Sequence, residues 1–174
     1  MSATKPLKQE LVKGLRFFLI LCLVGGLIFL TVSFFMDLLI ELTVSLSVLF
    51  LGFFGINAEA SSPFILGVFS KKVEIIPLCV GDFEIAVLLG AIAATEDRKI
   101  RERLMGMIGG AFFVFLVNPL RISLTLGTGV WWGIQTMDFV HSLLFRAVLL
   151  LVIIGFYVLW YIGPQVLGNK FKKN

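Results

Sequence analysis

The chain alternates long apolar stretches with short polar or glycine-rich breaks. The apolar residues form five runs, at 16–35, 38–56, 82–95, 104–122 and 139–162. A helix that crosses a bilayer needs about 20 mostly apolar residues, and the runs approach that length. The pattern therefore predicts one all-α integral membrane domain over residues 1–174, built as a bundle of about five hydrophobic helices.

Two of the breaks have patterns of their own. Residues 57–78 contain two short β-prone pieces, 64–69 and 73–76, around a polar turn, which predicts a small hairpin just before the third helix. Residues 123–138 contain three glycines and the pair Trp131-Trp132. Because tryptophan prefers the membrane–water interface, we expect a loop there.

Composition excludes several classes of protein. Hydrophobic residues make up 59% of the 174 residues, mean hydropathy is +1.02, and charged residues are only 15%. A soluble domain of this size exposes too much surface to hide so many apolar side chains. Soluble, disordered and nucleic-acid-binding classes are therefore excluded, and we expect a multi-pass protein of the cell membrane with the lipid bilayer as a partner.

The basic residues predict the orientation. They cluster near the N-terminus, at 98–103 and in the C-terminal tail at 170–173, each beside an apolar run. Because basic residues favour the cytoplasmic face, we expect 98–103 and the tail to be cytoplasmic. The fourth run then goes outward, the third and fifth go inward, and the hairpin is extracytoplasmic.

The N-terminal topology stays open at this stage. If the first two runs both cross, the basic N-terminus lies outside, against the charge rule. The second run, 38–56, is the weaker candidate for crossing because Asp37, Glu41 and Ser45 form a polar stripe at helical spacing.

Helix length places three reactive residues in one layer. The expected cytoplasmic turn is centred on residues 100–101, and Cys79 and Arg121 lie on either side of it in sequence. At 1.5 Å per residue, both are about 30 Å from the turn, one hydrocarbon thickness. His141 opens the next inward run, so it starts at the same outer face.

These three side chains have complementary chemistry. A thiolate is a nucleophile, an imidazole can accept and return a proton, and a guanidinium can stabilise a thiolate or an oxyanion. Asn118 lies one helical turn before Arg121 and is expected to orient it. The alternatives are an inert packing cysteine, an arginine that extends to the interface, and a structural histidine.

Two further charges lie deeper in the predicted spans. Glu84 and Arg146 each follow an outer-face residue by five positions, so they should reach the same depth. Intramembrane charges normally pair or face a polar cavity. We therefore predict a structural ion pair between them. The sequence predicts no metal site and no cofactor, since its single histidine and two cysteines lack metal-ligand spacing.

Three motifs together resemble a known family. They are Cys79-Val80-Gly81, Asn118-Pro119-Leu120-Arg121-Ile122 and His141, each at an end of a successive apolar run. This order is similar to that of the exosortase/archaeosortase family, and the chain is most similar to a short archaeal-type member. The resemblance covers residues 46–162. Val80 departs from the serine or threonine frequent after the family's cysteine, and the chain has fewer runs than the family usually has.

The resemblance implies a membrane cysteine protease/transpeptidase. Such enzymes act on exported, membrane-anchored proteins that end in a short motif, a helix and a basic tail. They cut at the outer face and transfer the new carboxyl end to a lipid or another acceptor. By this likeness Cys79 is the nucleophile, His141 the acid–base group and Arg121 the stabilising cation. The alternative is a non-enzymatic small membrane scaffold or assembly factor.

Overall fold

The computed structural model describes residues 4–69, 72–143 and 149–171, which are predominantly helical. The helices are α1 (Thr4–Ser33), α2 (Met36–Phe53), α3 (Asp82–Ala94), α4 (Ile100–Trp132), α5 (Ile134–Leu143) and α6 (Leu149–Phe171). The strands are β1 (Glu59–Ser61), β2 (Phe64–Leu66) and β3 (Val73–Glu74). The predicted helical bundle is thus present, with six helices among the described residues.

Three of the helices are long and apolar enough to cross a membrane: Gln9–Ser33 within α1, α2, and α4. The third predicted span forms a helix, α3, but it has only 13 residues. At 1.5 Å per residue its length is about 20 Å, short of the roughly 30 Å of a hydrocarbon core. Helix α3 is therefore shorter than the membrane-spanning helix that was predicted for the third run.

The predicted hairpin is part of a three-stranded antiparallel sheet of order β1-β2-β3. Its two predicted pieces pair as β2 and β3, with Ile65 opposite Val73. Strand β1 was not predicted, because its residues Glu59, Ala60 and Ser61 are all exposed and show no alternation of apolar and polar residues. The sheet caps one end of the molecule, and β3 is an edge strand.

The prediction of a loop at 123–138 was wrong. Helix α4 continues to Trp132, and α5 follows after Gly133, whose φ is +90°. Of the glycines that suggested a loop, Gly127 and Gly129 lie at packing contacts of α4. A Cβ on Gly129 would lie 2.8 Å from Phe69 Cζ and 2.9 Å from Met137 Sδ, so these side chains would have to shift to admit an alanine.

The fifth predicted run is occupied by two described helices. His141 lies in the last turn of α5, and the apolar stretch Leu150–Gly163 lies in α6. Residues 144–148, between these helices, lie outside the described residues. Arg146 is one of them.

The buried apolar side chains form two clusters, one above the other. The first joins α2, the sheet and the distal half of α4, and includes Leu51, Ile65 and Ile122. The second joins α3 and the proximal half of α4, with partly buried side chains of α6 packed against it. The turn that carries Cys79 lies between them, because Cys79 packs against the first cluster and α3 begins the second.

Helices α1 and α3 pack closely and run antiparallel. Near one end, Arg16 Nε lies 2.6 Å from Glu96 Oε1. Further along, a Cβ on Gly25 would lie 3.1 Å from the carbonyl oxygen of Ala86. The start of α1 is thus at the same end of the molecule as the 95–99 turn.

Helix α2 runs in the same direction as the distal half of α4. Ser123 Oγ donates a hydrogen bond of 2.8 Å to the carbonyl of Ser47. Ile56, just beyond the end of α2, lies beside Gly127, one turn further along α4. Helices α1 and α2 therefore advance together from the 95–99 turn toward the sheet.

Candidate active site

Cys79, Arg121 and His141 line one cavity of about 110 Å³. They come from three separate elements: the 3₁₀ turn Pro77–Cys79, the middle of α4 and the last turn of α5. The remaining walls are formed by β3 with Ile75, and by apolar and threonine side chains of α4. The sequence placed the three residues in one layer, and the fold brings them to one cavity.

The backbone of the cysteine turn is fixed by local and distant bonds. The N–H of Cys79 donates to the carbonyl of Ile76 at 2.8 Å, which closes the turn. The carbonyl of Cys79 accepts a hydrogen bond from Asn118 Nδ2. The Cys79 side chain is half-buried, so the thiol is held in place at the cavity wall.

Gly81 links the cysteine turn to α3. Its φ of +85° lies in the left-handed region, which a residue with a Cβ enters at a cost. A Cβ here would also lie 3.4 Å from Asn118 Cγ. The glycine two residues after the cysteine and the asparagine before Arg121 are therefore in direct contact, which gives both sequence motifs one structural reason.

Asn118 differs from its predicted role. Its amide donates to the carbonyl of Cys79, so it holds the turn that carries this cysteine. Asn118 is completely buried, and its Oδ1 has no hydrogen-bond partner within the described part of the chain. Pro119 follows it inside α4 and has no N–H to donate, so the helical hydrogen bond to the carbonyl of Phe115 cannot form.

Arg121 is buried in the protein. Only 7% of its surface is exposed, so it does not extend outward to an interface. Its guanidinium interacts electrostatically with Cys79 and with Glu84. The cavity therefore holds a buried cation that interacts with both the thiol and a carboxylate.

Glu84 is therefore part of this electrostatic group. The predicted partner Arg146 lies outside the described residues, and the structure gives Glu84 an interaction with Arg121. Side chains in a helix lean toward its N-terminus. Because α3 and α4 run in opposite directions, Glu84 and Arg121 lean toward each other at the level of Gly81. The predicted Glu84–Arg146 pair stays a prediction, because Arg146 lies outside the described residues.

His141 approaches the cavity from the exposed side. It lies in α5, a helix of 10 residues with no buried residue, and its own side chain is exposed. An imidazole at this position can exchange protons with solvent while it faces the same cavity as the thiol. Helix α5 is held to α4 partly through Met137, which contacts Gly129.

The arrangement has the groups for nucleophilic acyl transfer. It contains a thiol, an imidazole and a buried cation around a space that can hold one reacting group. Among the described residues, no group of three histidine, cysteine or acidic side chains is arranged to hold a metal ion. Strand β3 was predicted, but its place as a wall of the cavity, lined by Val73 and Glu74, was not.

Comparisons with protein families, with curated proteins and with solved structures found no match for this chain.

Proposed function

We propose that this protein is a membrane cysteine protease/transpeptidase that cleaves the C-terminal sorting signals of exported proteins. The observation that carries the proposal is the shared cavity of Cys79, Arg121 and His141. The resemblance of the motifs to the exosortase/archaeosortase family agrees with it. In that resemblance the residues in the cavity are the nucleophile, the stabilising cation and the acid–base group.

The proposed reaction has two acyl transfers. Cys79 Sγ attacks the scissile carbonyl carbon while His141 accepts the thiol proton. His141 returns this proton to the leaving amine as the carbon–nitrogen bond breaks, which leaves a thioester on Cys79. An amine, a hydroxyl or water then attacks the thioester, and its proton passes through His141 to the departing sulfur. Arg121 stabilises the thiolate and the oxyanion.

We place the cavity at the outer face of a cell membrane. Arg121 lies 21 residues after Ile100, where α4 begins, a distance of about 30 Å along the helix, close to one hydrocarbon thickness. The exposed apolar side chains of α1, which include Leu19, Leu23 and Leu27, suit a lipid environment. Helix α4 extends about 15 Å further, which leaves its distal part, α2 and the sheet at or beyond the outer leaflet.

Labelling of Cys79 by two kinds of reagent tests the proposal. The first is iodoacetamide, which needs only an accessible, reactive thiol. The second is a mixture of N-acetyl-tripeptide acyloxymethyl ketones, which also needs a peptide-binding site. The labelled protein carries Cys22→Ala, so that Cys79 is its remaining thiol. A separate protein with Cys79→Ala and an intact Cys22 gives the background labelling of Cys22.

We expect the ketones to label Cys79 and His141→Ala to slow this labelling by about 100-fold, the usual scale of lost acid–base catalysis. Arg121→Gln should slow it by a similar factor. Ketone labelling that is absent in the wild-type protein, or equal in all three proteins, would contradict the proposal. It would favour the non-enzymatic scaffold.

A further inference from the structure

The edge strand β3 faces the candidate active site. Among the described residues β3 pairs only with β2, so its other edge carries no strand. Val73, Glu74 and Ile75 form one wall of the cavity that holds Cys79. An open strand edge offers backbone donors and acceptors to another extended chain.

The register identifies which residue offers its backbone at this edge. The N–H of Ile75 donates to the carbonyl of Pro63 at 2.9 Å, on the β2 side. Ile65 and Val73 are the next such pair. Because successive residues of a strand direct their backbone groups to opposite sides, the N–H and C=O of Glu74 point to the open edge.

The chain between Glu74 and Cys79 leads from this edge to the thiol. Ile76 is extended, with φ −86° and ψ 161°, and the 3₁₀ turn that carries Cys79 starts at the next residue. A peptide that lies parallel to β3 therefore has its carboxyl end directed toward Cys79. The cavity beside it, about 110 Å³, has room for one side chain, so the rest of a substrate must bind outside it.

We propose that the substrate segment preceding the scissile bond binds as a fourth strand, parallel to β3, with Glu74 as its backbone partner. The N–H of Glu74 donates to one peptide carbonyl, and the C=O of Glu74 accepts from the amide two residues later. This inference rests on the proposed function and specifies how that site holds its substrate. Recognition then depends mainly on the peptide backbone, with one side chain in the cavity.

Proline substitution tests the backbone contact. Proline is tolerated where an edge strand directs its N–H away from the sheet, so Glu74→Pro should keep the pairing with β2. It removes the donor that the substrate would use. The matched control is Ala60→Pro, which removes the outward N–H of the opposite edge strand, β1, and leaves the cavity unchanged. Glu74→Ala separates the loss of the side chain from the loss of the N–H.

We expect Glu74→Pro to be labelled by the peptide ketones about five- to tenfold more slowly than Glu74→Ala, the effect of one lost hydrogen bond. Ala60→Pro should match the wild-type rate. Iodoacetamide should label Cys79 equally in all of them, because it needs no peptide contact. In the wild-type protein, an N-methyl group on the ketone amide that pairs with the C=O of Glu74 should slow labelling by a similar factor. An N-methyl group on the next amide should not.

Equal ketone rates for Glu74→Pro and Glu74→Ala, with normal iodoacetamide labelling, would overturn the strand-addition proposal and leave the proposed function standing. Ketones that fail on the wild-type protein would overturn both. If Glu74→Pro also loses iodoacetamide labelling, the comparison of N-methylated ketones on the wild-type protein replaces it. Equal labelling rates for ketones methylated at different amides would overturn the proposal. A slower rate for methylation at one amide alone would support it.

Discussion

Asn118 connects the two halves of the candidate site through a single hydrogen bond. Its amide donates to the carbonyl of Cys79, and the residue lies in α4 one turn before Arg121. The hydrogen bond therefore links the cysteine turn to the helix that carries the cation. Its side chain also contacts the position where Gly81 lacks a Cβ. Contacts between the cysteine turn and α4 therefore explain the spacing of the motifs in the sequence.

We predict that Asn118→Leu will slow ketone labelling of Cys79 by about tenfold and lower the free energy of unfolding by about 1–2 kcal/mol. The lost hydrogen bond leaves the Cys79 carbonyl unpaired, and the turn becomes less fixed. Labelling rates and denaturant unfolding in detergent measure the two effects.

Ser123→Ala is the matched control for Asn118→Leu. Ser123 is also buried in α4, and its Oγ donates to the carbonyl of Ser47, away from the cavity. It should lower stability by about 1 kcal/mol and leave labelling unchanged. If both variants slow labelling in proportion to their loss of stability, the positioning role of Asn118 is wrong.

At the level of elements, α1 and α3 pack backbone against backbone. A Cβ on Gly90 would lie 2.9 Å from the carbonyl oxygen of Leu21 and 3.1 Å from Gly25 Cα. Both contacts are with backbone, so no side-chain rotation can relieve them. The two helices can therefore pack this closely only while glycine occupies the contact.

We predict that Gly90→Ala will lower the free energy of unfolding by about 1–3 kcal/mol, because α1 and α3 must move apart. The control is Gly26→Ala, since Gly26 has open space on the same helix as Gly25. That change should be neutral or stabilising by up to about 1 kcal/mol. Denaturant unfolding in detergent compares them, and equal losses of stability would show that the close contact is not what holds the helices.

The elements were predictable to different degrees. The apolar runs predicted α1, α2 and the core of α4 because long apolar stretches determine helices that lipid or protein can cover. The strands β2 and β3 were predicted from their β-prone pieces. The extension of α4 to Trp132 was not predicted. Gly129 lies there at a packing contact with Phe69 and Met137, and this contact is not visible in the local sequence.

For the whole molecule, the packing of α1 on α3 determines where the N-terminus lies. Arg16 meets Glu96 beside the turn that was predicted to be cytoplasmic. Helices α1 and α2 run in the same direction away from this turn and form a single path, which leads outward if the turn is cytoplasmic, as the charge rule predicts. The conflict in the sequence arose because the first two runs were treated as crossings in opposite directions, whereas α1 and α2 run in the same direction.

We predict that cysteines introduced by Lys13→Cys and Lys99→Cys will be labelled from the same side of a membrane, and Glu59→Cys from the other. The variants are made without Cys22 and Cys79 and are expressed in cells that are converted to right-side-out vesicles. An impermeant maleimide should label position 59 in intact vesicles, and positions 13 and 99 only after permeabilisation. Identical behaviour of positions 13 and 59 would contradict the single outward path.

The sequence by itself determined the apolar helices, the layer of Cys79, Arg121 and His141, and the short strands before α3. These follow from local hydropathy and from the fixed rise of a helix. The tertiary structure alone decided that the three residues meet in one cavity, that Glu84 interacts with Arg121, and that β3 faces the thiol. Those features depend on the rotation and direction of packed elements, and such contacts between distant residues leave no local pattern in a single sequence.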